Sequence, residues 1–127
     1  MTYAEKTAIG RLLHSSLVAR DWAALGAMLA ENVVWTLPGD NQVSGEIAGR
    51  DAVIAHFQKI AAFGVNFKLE HILVSRDNVA LGLHNTARRG DALLDEHLAT
   101  VCLLDGEIIR AIETYLSDVE GMNAFFA

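Results

Sequence analysis

Two histidines and two carboxylates stand at alternating positions near the end of the chain: His84, Asp95, His97 and Glu113, joined by Thr86 and Tyr115. An imidazole beside a carboxylate can hold and pass a proton near neutral pH, so gathering these groups amid Leu, Ile, Val and Ala would suit general acid–base chemistry. Whether they gather depends on hairpin register. Gly90-Asp91 fits a two-residue hairpin loop that pairs Arg89 with Ala92, which sets Thr86 opposite Asp95 and His84 opposite His97. Leu104-Asp105-Gly106 fits a three-residue loop with Gly in the left-handed position. That loop pairs Leu103 with Glu107, so His97 faces Glu113 and Asp95 faces Tyr115. Directly opposed Cβ atoms lie roughly 4.5–5.5 Å apart, within reach of polar side chains. A two-residue Asp-Gly turn would instead set Leu98 opposite Glu113 and mix polar with apolar residues on both faces, which favours the first register.

Two readings of this layer stand side by side. In one, Glu113 is the principal acid/base and His84 and His97 orient it or relay its proton. Asp95, Thr86 and Tyr115 then hydrogen-bond a ligand or the histidines, and Trp35 supplies an apolar wall. In the other, the same groups form a mutually satisfied network that only orders the sheet. Two histidines and a carboxylate also suit a transition metal. No HxxE or HxH motif is present, however, and the expectation is that no metal is bound.

Hydrophobic spacing shows what must position these residues. Ile9, Leu12, Leu13 and Leu17 predict an amphipathic helix over residues 3–19, and Asp21 can cap a second, shorter one to about Ala30. Val33 to Leu37 reads as a strand stopped by Pro38-Gly39, followed by a polar surface loop to Gly49. A third helix runs from about Arg50 to Ala62 with Val53, Phe57 and Ile60 on one stripe. Four strands follow, at about 65–75, 79–88, 92–104 and 107–117. Ser117 and Glu120 form a weak capping box for a short helix bearing Met122, Phe125 and Phe126, a tail that covers a pocket mouth or packs on a partner subunit. Three helices and then a strongly bent antiparallel sheet make an α+β architecture in which the sheet curls around the helices. In the preferred register the opposite sheet face carries Leu98, Thr100, Cys102, Ile108, Arg110, Ile112 and Thr114. Such a largely apolar face, if uncovered, marks an interface, so a homodimer through the outer sheet face is expected.

The chain's 127 residues set the scale of a single domain with one core. A formal charge of −6 argues against nucleic-acid binding, which needs a basic surface. One cysteine, Cys102, excludes an internal disulfide and fits a reducing cytoplasm. The N-terminal stretch lacks the apolar run of a signal peptide, and no stretch is long and apolar enough to span a membrane. Cys102 reads as a small buried hydrophobe, Trp22 as packing, and His56 and His71 as solvent-facing or capped.

The segments Arg20 to Leu25, Glu31 to Trp35, Gly49 to Val53, and Asp105 to Ile108 before Glu113 to Leu116 resemble the nuclear transport factor 2-like superfamily, in its branch of SnoaL-like polyketide cyclases and ketosteroid isomerase-like proteins. The resemblance covers nearly the whole chain. It implies a cone: a curved sheet around helices, enclosing a deep apolar pocket, with cofactor-independent chemistry on a small, mostly apolar oxygenated molecule. Isomerase, cyclase, dehydratase and hydrolase reactions all occur on this fold, as do non-catalytic binding pockets. By resemblance to the superfamily's epoxide hydrolases, the catalytic positions fall on His84, Thr86 and Glu113 and the water-orienting ones on Trp35 and Leu37; His14 lines the pocket. Only Glu113 keeps its chemistry there. The general base of ketosteroid isomerases falls on Leu37, and an inward acid of the polyketide cyclases falls on Glu113. The same resemblance turns His84, His97, Asp95 and Glu113 toward the pocket.

Overall fold

Thr2 and Glu5 close a reciprocal capping box, each side chain accepting the other's backbone N–H at 3.0 Å, and so start α1 (Tyr3–Ala19). The computed structural model describes residues Met1–Ala127. Arg20, in the left-handed conformation, ends α1, and Asp21 caps α2 (Trp22–Ala27) through the Ala24 N–H. The second helix is shorter than expected because Leu29 already belongs to β1 (Leu29–Leu37). The expected surface loop contains a short strand, β2 (Gly45–Ala48), which pairs antiparallel with the end of β1. Four residues without alternation give too little pattern to reveal a strand. After α3 (Arg50–Ala62) come β3 (Asn66–Val74), β4 (Asn78–Arg89), β5 (Ala92–Asp105), β6 (Ile108–Leu116) and α4 (Val119–Phe125). Asp118, not Ser117, caps α4, accepting the Gly121 N–H at 2.9 Å.

The six strands form one curled sheet in the order β2-β1-β6-β5-β4-β3, antiparallel except where β1 runs parallel to β6. With the helices it makes the expected α+β cone. Its core clusters Leu13 and Leu17 of α1, Val53 and Phe57 of α3, and the inward residues of the sheet. No helix is long and apolar enough to cross a membrane.

The β4–β5 hairpin has the expected register, with Arg89 opposite Ala92, Thr86 opposite Asp95 and His84 opposite His97. Gly90 takes a φ of 60°, the positive value that its two-residue loop requires. The β5–β6 hairpin does not. Its loop is Gly106-Glu107, pairing Asp105 with Ile108, and β6 carries an extra residue, Arg110, between the Leu104–Ile109 and Leu103–Ala111 pairs. Loop and bulge together slide β6 so that Val101, not His97, faces Glu113, and Ala99 rather than Asp95 faces Tyr115. The slide of four positions is even, so these residues still share a face. At about 3.4 Å per residue it separates Glu113 from His97 by roughly 14 Å.

That shared face is the outside of the cone. Leu94, Glu96, Thr100 and Cys102 of β5 and Ile112 and Thr114 of β6 are buried, whereas Asp95, His97, Glu113 and Tyr115 are exposed. The expected orientation is therefore inverted: of the residues expected on an outer apolar face, Leu98, Thr100, Cys102, Ile112 and Thr114 point inward. The reason is the apolar stripe Val79, Leu81, Leu83, Leu94, Cys102, Ile109 and Ile112, whose burial against the helices outweighs that of any stripe on the other face. Glu96 interrupts it, but its Oε1 accepts the Ser117 N–H at 2.7 Å and the Ser117 hydroxyl and Asp118 N–H at 3.1 Å, so it is buried with partners.

Candidate functional site

A cavity of about 50 Å³ lies between the inner sheet face and the helices, lined by 17 residues of which 14 are hydrophobic. One water needs about 10–15 Å³ on such a measure, so a few waters or a compact ligand fit. α1 contributes Leu13 and Leu17, α3 contributes Phe57 and Ile60, and the sheet contributes Leu81, Leu83, Leu94 and Leu98. The C-terminal tail closes one side: Met122 and Phe126 line the cavity, and Arg89 Nη1 donates to the Phe125 and Ala127 carbonyls. The tail's buried aromatics thus cover the cavity from within the chain.

Three polar residues reach this apolar space: Asn85, Thr100 and Thr114. The Trp35 indole N–H donates to Thr114 Oγ1 at 3.0 Å, and the Thr100 and Thr114 hydroxyls share a hydrogen bond of 3.2 Å. Those three groups own three hydrogens and make two bonds, which leaves one hydroxyl proton to donate. Asn85 Oδ1 is buried with no partner, an unused acceptor. The cavity therefore offers one spare donor and one spare acceptor in an otherwise apolar wall. No carboxylate and no imidazole lines it.

Among the residues expected at the site, Leu37 alone lines the cavity. Trp35 is a core plug, stacked on Phe57 at 4.1 Å and edge-on to His56, and meets the cavity through its neighbours Phe57 and Thr114. His14 Nε2 is hydrogen-bonded to the Phe67 carbonyl at 2.8 Å. His56 bonds the Val43 carbonyl, so it is capped as expected. Cys102 is a buried thiol, and burial pushes its pKa up to about 12.

The outer face holds the remaining expected residues in two groups. The rings of His84 and His97 stack at 4.0 Å, His84 Nε2 is hydrogen-bonded to Asp95, and His97 Nδ1 to Glu70 Oε1 at 3.0 Å. These bonds hold the Asp95 and Glu70 carboxyls below the usual carboxylate range. Thr86 stands opposite Asp95 beside them. Glu113 lies apart, accepting only the Tyr115 hydroxyl at 3.4 Å.

Thr100 and Thr114 were expected on the outer face and Asn85 was not singled out, although Asn85 extends the period-two stripe Leu81, Leu83 by one polar residue. That interruption was the available signal.

A curled sheet closed by helices over an apolar cavity with few polar groups is the fold of the nuclear transport factor 2-like class. The model of the SnoaL-like domain matches residues 10–111, and the chain belongs to that family. Among solved structures it resembles Bal32a from a soil-derived mobile gene cassette, with a TM-score of 0.93, 24% identity and 98% of each chain covered. It also resembles an NTF2-like protein from Burkholderia xenovorans (TM-score 0.84, 19% identity, 98% of each chain). A protein with a ketosteroid isomerase-like fold from Catenulispora acidiphila, in complex with trimethylamine, matches at a TM-score of 0.71 and 18% identity over 91% of this chain and 92% of that one. At these identities the likeness is one of fold. Comparison with curated proteins gives no match.

Proposed function

We propose that the chain binds a compact, uncharged, mostly apolar molecule carrying a hydroxyl or similar group in the interior cavity. The unpartnered Asn85 Oδ1 carries this reading. A buried acceptor left without a partner costs about 1–3 kcal/mol, and a ligand O–H that donates to it would relieve that cost. Trimethylamine in a neighbour of like fold fits a small occupant. The absence of a carboxylate from the lining favours a neutral one here.

Acid–base turnover of such a ligand by Glu113, His84 and His97 has less support, because those groups face away from the cavity. An isomerase or cyclase in this cavity would have to work with neutral amide and hydroxyl groups. For the whole protein we propose a cytoplasmic homodimer joined through the outer sheet face, where Leu73, Leu93 and Tyr115 are exposed.

Ethanol and dimethyl ether, isomers of nearly equal size of which only ethanol donates a hydrogen bond, test the binding reading by shifts of the Asn85 side-chain amide. Ethanol should bind roughly tenfold more tightly, the worth of about one net hydrogen bond. Asn85→Leu should erase the preference, while Glu113→Gln leaves binding intact. Equal affinity of the two probes, or no saturable binding of either, overturns the proposal.

A further inference from the structure

We infer that Glu70, His84 and His97 form a binding site for a divalent first-row transition-metal ion of the zinc type on the outer face of the sheet. One donor atom from each lies within 4.8 Å of the others. A tetrahedral ion with bonds of about 2.0–2.1 Å places its donors roughly 3.4 Å apart, so the set closes once the two stacked rings turn out of their parallel arrangement and aim their in-plane nitrogens at one point. His97 and Glu70 are exposed and have room for that turn, in which the ion replaces their mutual hydrogen bond.

The backbone fixes the arrangement. His84 and His97 are directly opposed on β4 and β5, which brings their rings face to face. Glu70 comes from β3, where the pairing shifts between Leu69 and His71, leaving Glu70 as the extra residue of a bulge. Bulges re-aim a side chain, and this one turns a carboxylate toward the histidine pair. Three neighbouring strands of one hydrogen-bonded sheet thus supply the donors, which is why no local spacing motif announces them. Asp95, hydrogen-bonded to His84 Nε2, can orient that imidazole and leaves its Nδ1 for the ion. Two imidazoles and one carboxylate suit zinc, cobalt or nickel over calcium or magnesium, and three protein ligands leave a fourth coordination position unfilled.

The test uses the untagged full chain titrated with Co²⁺ and then Zn²⁺. Visible absorption and calorimetry read binding, and long-range ¹H–¹⁵N spectra read the histidine rings. One ion should bind per chain, shifting the ring signals of His84 and His97 but not those of His14 and His56. His84→Asn and His97→Asn should each weaken binding about 10–100-fold, and Glu70→Gln should also weaken it. Absence of saturable binding, or binding that the His84→Asn/His97→Asn double variant retains, overturns the proposal. The ring spectra of the unaltered chain decide the matter even if a variant fails to fold.

Discussion

Trp35 and Thr114, 79 positions apart in sequence, meet through an indole N–H donating to a hydroxyl at 3.0 Å. Trp35 sits on β1 and Thr114 on β6, and the parallel pairing of those strands brings them together. The bond ties the core aromatic to the polar corner of the cavity.

Thr114→Val keeps the shape but leaves the indole N–H buried without an acceptor. The expected cost is about 1–3 kcal/mol, read as a lower urea midpoint with an unchanged slope. Thr114→Ser should recover most of it, because the hydroxyl remains.

Asn85→Leu should raise the stability of the ligand-free protein. The variant removes a buried acceptor that has no partner and extends the Leu81, Leu83 stripe. A gain of about 1–3 kcal/mol is expected, read as a rise in Tm. A loss of stability would mean that the amide is satisfied in the free protein.

His56 makes stability fall with acidification. Burial chiefly lowers its pKa from the ordinary 6.5, the Val43 carbonyl opposes that, and Lys59 adds to it. Above 6.5 both folded and unfolded chains are neutral at this position, and it contributes no pH dependence. Below it the unfolded chain takes up a proton that the folded chain resists, so folding weakens as pH drops toward the lowered pKa. His56→Gln should therefore show a shallower loss of stability than the unaltered chain between about pH 7.5 and about pH 5 in paired denaturation curves.

Cys102 should resist alkylation. With its pKa pushed to about 12 by burial, the thiolate that reacts is scarce and shielded. Iodoacetamide should leave the native chain unlabelled at neutral pH and label one site once urea unfolds it. Rapid native labelling would show that the sheet opens at β5.

Local chemistry in the sequence determined a good deal. The Gly90-Asp91 loop set the β4–β5 register, because a two-residue turn leaves no freedom in the pairing behind it. The apolar stripes located α1 and α3, and the motifs shared with the SnoaL-like family located the cone. Tertiary structure decided the rest. The Gly106-Glu107 loop and the bulge at Arg110 together set the β5–β6 register, and the β1–β6 pairing joins segments with no local sign of each other. Which face of the sheet turned inward was also a global matter. Both faces mix polar and apolar residues along β5, and Glu96 on one looks as costly to bury as His97 on the other until Ser117 and Asp118 supply its hydrogen bonds. Period-two alternation states that two faces differ. Only the summed burial against α1, α3 and α4 states which one is inside, and that sum put Asn85 in the cavity and left His84, His97 and Glu113 on the surface.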